Sequence, residues 1–301
     1  MTQQWSRLGI IHRPDTTKEW AAHGYCHVPT PLVMGDTVRV FYASLDANNR
    51  GSIGYCDLDG SDLTKVKYVS PDPVMRPGPL GAFDCDGVVP SCIIRDWRTG
   101  IDRWIMWYTG FQRTETVPYM LFSSVAFSKD GNAWEKWSSS VPMLDRVHNH
   151  AYSRSVPFEL NSPEYHHMLW YWSCDYWEGN PLHYHNSIYC YDGMNLDSDQ
   201  LCISPIYPDY AVGRPWVLKE NGIYRMWFSS RGPGTYSVCY AESLDGLSWT
   251  RADDEVNSLM PDDGTNAEYP AIVDSGGKRW CVFNGAHNGR DGIELAVLEH
   301  E

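Results

Sequence analysis

Val38-Arg39-Val40-Phe41-Tyr42 is the first of five short aromatic-rich runs in the chain. The others are Trp104-Ile105-Met106-Trp107-Tyr108, His167-Met168-Leu169-Trp170-Tyr171, Tyr224-Arg225-Met226-Trp227-Phe228 and Arg279-Trp280-Cys281-Val282-Phe283. They recur every roughly 55 to 66 residues, a period that suits a blade of four strands and its loops. A proline-marked apolar segment precedes each run: Val28-Pro29, Val89-Pro90, Val156-Pro157, Arg214-Pro215 and Tyr269-Pro270 mark the five. A third apolar segment follows each run, from Ser52-Ile53-Gly54-Tyr55 in the first copy to Ile293-Glu294-Leu295-Ala296-Val297 in the fifth. Asp130-Gly131, Asp192-Gly193 and Asp245-Gly246 then mark turns, and the first and last of these lead on to Trp134 and Trp249, as in a hairpin that closes a blade. The fifth copy reaches Glu301 without a fourth strand, whereas Trp5-Ser6-Arg7-Leu8-Gly9-Ile10-Ile11 precedes the first copy without a partner. The expected fold is therefore all-β: one five-bladed β-propeller domain over residues 1–301, with four-stranded antiparallel blades and a ring closed by the N-terminal strand, which removes an exposed edge.

Composition narrows the function classes. The chain has 301 residues, of which 24 are basic and 38 acidic, for a net charge of −14. Such a field repels phosphate backbones and anionic lipid surfaces, which argues against nucleic acid and membrane as partners. No apolar run approaches the roughly 18 to 20 residues of a membrane span, and Met1-Thr2-Gln3-Gln4-Trp5-Ser6-Arg7 lacks the form of a secretory signal. The nine cysteines are odd in number, scattered and free of any C-x-x-C pair. A reduced, cytoplasmic setting is the expectation.

In a propeller blade the first strand lines the channel and the second runs back, so the start of one and the end of the other meet at one rim. First-strand starts place there His23 and His27, Asp84 and Asp86, Tyr152 and Arg154, Arg214, and Asn266 with Glu268. Second-strand ends add Asp46 and Arg50, Gln112 and Arg113, Asp175 and Trp177, Arg231, and His287 with Asn288. Acids, arginines and histidines beside aromatic strands make a polar pocket for a small polyhydroxylated molecule. Solvated rim side chains occur in any propeller, so each assignment competes with a purely structural one. Arg154, Arg214 and Arg231 point to an anionic group on the ligand or, alternatively, neutralise rim acids. Trp177 and Trp216 are candidates for stacking on a sugar face. His148-Asn149-His150 and His183-Tyr184-His185 place histidines on alternate strand positions. Neither matches a zinc signature or shows a carboxylate partner in sequence, so no metal and no cofactor is assigned.

The blade-start residues, the Asp-Gly-x-x-Trp turns, and the segments Gly213-Arg214-Pro215-Trp216-Val217-Leu218-Lys219 and Tyr240-Ala241-Glu242-Ser243-Leu244-Asp245-Gly246-Leu247-Ser248-Trp249 resemble the five-bladed glycosidase superfamily of arabinanases, xylosidases, invertases and mannoside phosphorylases. More closely, the chain resembles glycosidase-like propellers of bacterial surface-sugar and secondary-metabolite gene clusters. The resemblance covers nearly the whole chain and is specific for fold rather than activity. It implies an acid on blade one as base or nucleophile, an aspartate on blade two that tunes proton affinity, and a glutamate on blade three as proton donor. Blade two offers Asp84 and Asp86, but blade one has His27-Val28-Pro29 and blade three Ser153-Arg154-Ser155 at the corresponding starts.

Glycoside cleavage needs two carboxyl groups about 5 to 10 Å apart. The expected catalytic pair is Asp86 with Glu268, Asp46 being the reserve, and Glu268 gains its acid character from aromatic and proline neighbours. His27, Asp84, Arg154, Asp175, Trp177, Arg214, Trp216, Arg231 and His287 are the expected substrate-binding residues. The sequence thus points to a carbohydrate-active enzyme of glycosidase or phosphorylase type. Two alternatives stay open: a non-catalytic sugar-binding propeller, and a biosynthetic cyclase, lyase or transferase on the same scaffold.

Overall fold

The computed structural model describes residues 2–160, 168–191, 199–234, 236–260 and 267–300. His167, Asp192-Gly193 and Asn266 lie outside the described residues. Strands dominate, in five four-stranded antiparallel groups. Blade one comprises β2 (Gly24–Met34), β3 (Thr37–Leu45), β4 (Gly51–Asp59) and β5 (Asp62–Val69). Blade two comprises β6 (Gly87–Arg95), β7 (Trp104–Arg113), β8 (Tyr119–Ser128) and β9 (Glu135–Lys136). Blade three comprises β10 (Ser153–Glu159), β11 (Leu169–Glu178), β12 (His183–Tyr191) and β13 (Gln200–Ile203). Blade four comprises β14 (Ala211–Glu220), β15 (Ile223–Arg231), β16 (Tyr236–Ser243) and β17 (Thr250–Arg251). Blade five comprises β18 (Glu268–Ser275), β19 (Lys278–Asn284), β20 (Ile293–His300) and, from the other end of the chain, β1 (Gln4–His12). The first strands touch in cyclic order, β2 to β6, β10, β14, β18 and back to β2, so the ring is closed. Among the described residues, no helix is long and apolar enough to cross a membrane.

The aromatic runs are the second strands, and the fourth residue of the run is a docking point between blades. Trp134, after the Asp130-Gly131 turn of blade two, meets Phe41 of blade one edge-on at 5.7 Å. Trp249, after the Asp245-Gly246 turn of blade four, meets Trp170 of blade three edge-on at 6.2 Å. Both turns use one hydrogen-bond set. Asp130 Oδ1 accepts from the backbone of Asn132 and Ala133, and Asp245 Oδ1 from Leu247 and Ser248. These N–H donors hold the Asp245 carboxyl down at about 2. The glycines supply positive φ, +73° at Gly131 and +77° at Gly246.

A second repeated device sits at the proline of each inner strand. Proline has no N–H for the ladder, so a bulge is where a strand tolerates it. Register slips occur at this point in all five blades, between His27 and Thr30, Pro90 and Cys92, Ser155 and Phe158, Gly213 and Trp216, and Glu268 and Ala271. In four blades the residue before the proline is left-handed: Val28 (φ 54°), Val156 (47°), Arg214 (56°) and Tyr269 (55°).

Closure rests on β1. Trp5 is 2% exposed, and Gln3 Oε1 accepts hydrogen bonds from both Trp5 Nε1 at 3.1 Å and Trp227 Nε1 of blade four at 3.2 Å. His12 Nε2 lies 3.0 Å from Tyr42 Oη of blade one, and burial lowers its pKa from 6.5 to about 4. Two expectations follow from these contacts. Trp5→Ala should cost about 3–5 kcal/mol in urea unfolding, as for other buried large-to-small changes; a loss below about 1 kcal/mol would contradict a closing role for β1. The unfolded chain takes up a proton on His12 near pH 6.5, whereas the folded protein does so only near pH 4. The His12 contribution is therefore complete above pH 6.5 and is lost as pH falls toward 4. His12→Gln should flatten the stability profile across this window, and an unchanged slope in calorimetry would refute the assignment.

Candidate active site

The inner strands and their partners enclose a cavity of about 700 Å³ at the rim where first strands start and second strands end. Residues at or just before the bulges line its floor: Val28, Val89, Val156, Gly213 and Tyr269. Gly213 is required there, because a Cβ would meet Trp172 Cδ1 at 2.8 Å. Beneath the floor, the left-handed turn at Arg214 sends its guanidinium across the axis. It donates to the carbonyls of Ser91 in blade two (2.9 Å) and Pro29 in blade one (3.1 Å), and to Thr30 Oγ1 (3.2 Å). Arg214 is 0% exposed and has no ion-pair partner among the described residues. Desolvation lowers its pKa to about 10, still a cation at neutral pH.

The expected site residues divide by place. Asp86, His27, Trp177 and Arg231 line the cavity. Asp86 is the one carboxylate that does so among the described residues. Its Oδ2 accepts from the backbone N–H of Arg113 at 2.9 Å and from Cys85 Sγ at 3.5 Å, and its Oδ1 has no partner among the described residues. The His27 ring meets Tyr269 edge-on at 5.1 Å and makes no hydrogen bond to a described residue. Burial first, and the nearby Arg214 charge second, lower its pKa to about 4, so the imidazole is neutral at pH 7. Arg231 donates through Nε to Tyr210 Oη at 2.9 Å and lies 4.5 Å over the Tyr236 ring.

The other expected residues lie outside the cavity wall. Glu268 is 0% exposed and is approached by Asn284 Nδ2 at 3.5 Å. Asp46 accepts the backbone N–H groups of Asn48 and Arg50 and shapes the β3–β4 turn. Asp84 is 0% exposed in an ion pair with Lys136 at 2.6 Å. Arg154, 2% exposed, pairs with Asp199 at 3.3 Å, where His150 and Tyr171 also converge. Asp175 accepts from Ser187 Oγ and Tyr189 Oη. Trp216 packs on Phe158 and beneath the Arg214 guanidinium in the core. His287 is exposed beside Asp291, while its neighbour Asn288 reaches the wall.

Sequence reasoning missed the tyrosines that dominate the wall. Tyr119, Tyr184 and Tyr236 occupy the starts of the third strands and pair across to Arg113, Trp177 and Arg231, the ends of the second strands. The signal was a tyrosine near the third-strand start in three successive blades. Tyr184 Oη and Tyr236 Oη are 2.7 Å apart, and Tyr269 Oη donates to Tyr236 Oη at 3.5 Å, joining blades three, four and five. Desolvation raises the pKa of each phenol above its ordinary value, so the network is uncharged. Among the described residues, the Asp86 carboxylate, the neutral His27 imidazole, Arg113, Arg231 and a belt of phenols suit a polyhydroxylated ligand that carries, or meets, an anion.

No protein-family model matches the chain. Among curated proteins, it is 33% identical over 305 residues to "Uncharacterized protein Rv1502" of Mycobacterium tuberculosis (strain ATCC 25618 / H37Rv), across 98% of this chain and 99% of the relative. Among solved structures it is similar to a glycoside hydrolase at TM-score 0.68 and 17% identity, over 100% of this chain and 93% of the other. A thermostable family-43 glycoside hydrolase gives 0.65 and 15%, over 92% and 90%. An alpha-L-arabinofuranosidase from Lactobacillus brevis gives 0.63 and 12%, over 91% and 90%. These structural likenesses show the fold alone, a β-propeller. With 33% identity over nearly the full length of both proteins, the chain belongs to the family of the Mycobacterium tuberculosis protein Rv1502.

Proposed function

We propose that the protein is a carbohydrate-active enzyme whose funnel transfers a glycosyl group to an anionic acceptor, inorganic phosphate being the simplest. The observation that carries this reading is that Asp86 is the single lining carboxylate among the described residues, in a cavity that also presents Arg113 and Arg231. Inverting hydrolysis needs one carboxyl as acid and another as base for water. Inverting phosphorolysis needs only the acid, because phosphate is already an anionic nucleophile. In the proposed step a phosphate oxygen attacks the anomeric carbon, the glycosidic C–O bond breaks, and Asp86 gives its proton to the departing oxygen; solvent then reprotonates Asp86. Neutral His27 and the phenols of Tyr184, Tyr236 and Tyr269 hydrogen-bond sugar hydroxyls, Trp177 offers an apolar face, and Arg231 holds the phosphate. The whole chain acts as one domain in this proposal. Nine cysteines as free thiols suit a cytoplasmic location. The wholly buried Glu268 favours one rival, a sugar-binding propeller without turnover.

The test is turnover of a panel of aryl glycosides with and without phosphate. Release of the aryl group should rise with phosphate, and glycosyl phosphate should form in equal amount. Full-rate hydrolysis without phosphate would refute the proposal, and binding without turnover by any panel member would support the rival. Asp86→Asn should lower kcat by about 10²–10⁴-fold, the range for loss of a general acid. Arg231→Gln should raise the KM for phosphate by about tenfold or more while kcat changes less; an effect on kcat alone would remove phosphate binding from its role.

A further inference from the structure

The β11–β12 hairpin carries a cluster that the funnel chemistry does not use. Antiparallel register pairs Glu178 with His183 and Tyr176 with His185. Because His183 and His185 are two apart on one strand, and Tyr176 and Glu178 two apart on the other, all four side chains share one face. The carboxylate that sequence spacing did not reveal is thus supplied across the hairpin. One ligand atom each from Glu178, His183 and His185 lie within 4.8 Å of one another. Glu178 Oε1 is 2.8 Å from His185 Nε2 and 4.0 Å from His183 Nε2, yet the His185 nitrogen makes no aligned hydrogen bond. Both rings therefore aim at one oxygen without being satisfied by it.

The rings are held in place from three sides. Tyr176 stacks on His185 at 4.2 Å and 13°. Tyr210 packs against His183 at 4.8 Å and His185 at 5.9 Å. Gly179 makes room for the His183 ring, since a Cβ there would come within 2.6 Å of His183 Cε1. We propose that Glu178, His183 and His185 bind a divalent transition-metal ion of the zinc class at the rim of the funnel. Two imidazoles and a carboxylate are a nitrogen-rich set that suits zinc rather than calcium or magnesium. Tetrahedral ligands at about 2.0–2.2 Å from the metal lie about 3.3–3.5 Å apart, and Glu178, at 55% side-chain exposure, is free to rotate and close the remaining gap. Three protein ligands leave a fourth position open. His183 and Tyr210 both line the cavity, so that position faces a ligand in the funnel, next to the Arg231 that Tyr210 anchors.

The experiment uses untagged full-length protein, treated with chelator and titrated with Zn²⁺ against a chromophoric competitor. One equivalent should bind per chain. The double variant His183→Ala/His185→Ala should lose this equivalent or weaken it at least tenfold, and Glu178→Gln should weaken it. His148→Ala, which alters the other histidine pair, should leave binding unchanged. Matching metal-free melting curves would show that the variants fold. A zinc-edge anomalous peak should lie about 2.0–2.2 Å from the three ligand atoms. No binding by the parent protein, equal binding by the double variant, or a peak elsewhere would overturn the proposal.

Discussion

The left-handed backbone directly before the blade prolines is the constraint on which the cavity depends. A β-carbon residue at positive φ is unfavourable by about 1–3 kcal/mol, and four blades place one directly before the proline, at Val28, Val156, Arg214 and Tyr269. Each sits in a bulge that shifts the register of its inner strand, so the residues before and after the proline take different faces from those an unbroken alternation would give. Packing of each blade against the next offsets this strain. In blades one, three and five the left-handed residue itself forms cavity wall. In blade four the same turn drives a guanidinium beneath the floor, where carbonyls of blades one and two hold it.

That buried cation has consequences above it. Among the described residues the terminal nitrogens of Arg214 donate to neutral oxygens and meet no carboxylate, so its charge is felt by its surroundings. His27, directly on the cavity, is kept neutral partly by that charge. A neutral imidazole can donate through one nitrogen and accept through the other, as the phenols around it also can, and such groups match sugar hydroxyls in either sense. Among the described residues the one carboxyl in the wall is Asp86, fixed by the Arg113 backbone through one oxygen, with the other facing no described partner.

The fold was legible because it repeats. Five aromatic runs at blade period, with a proline before each and Asp-Gly-x-x-Trp turns after two, carry strand order and even ring closure by Trp5 in local sequence. Why Phe41 and Trp170 recur at one position was not legible, since it depends on a tryptophan from the neighbouring blade. The rim was legible only in part. Asp86, His27, Trp177 and Arg231 stand at the rim because strand direction alone decides their level. Asp84 and Arg154 occupy equally plausible positions in sequence, but Lys136 and Asp199, both distant along the chain, draw them into buried ion pairs. Glu268 lies one residue before a bulge, and a one-residue shift exchanges cavity for core. The tyrosine belt is hidden in sequence because the apolar centre of each third strand dominates its pattern, while its tyrosine reaches the rim only through pairing with the end of the second strand.

In the proposed mechanism Asp86 alone supplies carboxylate chemistry to a ligand in this funnel. A crystal structure of the protein soaked with a mixed set of sugars and sugar phosphates tests it most directly. The expected result is sugar density in the cavity, with Asp86 beside the anomeric carbon, any phosphate against Arg231, and no other carboxyl within about 5–10 Å flanking the scissile position. Density flanked by Asp86 and a turned-out Glu268 at that separation, or ligand bound only outside the funnel, would contradict it.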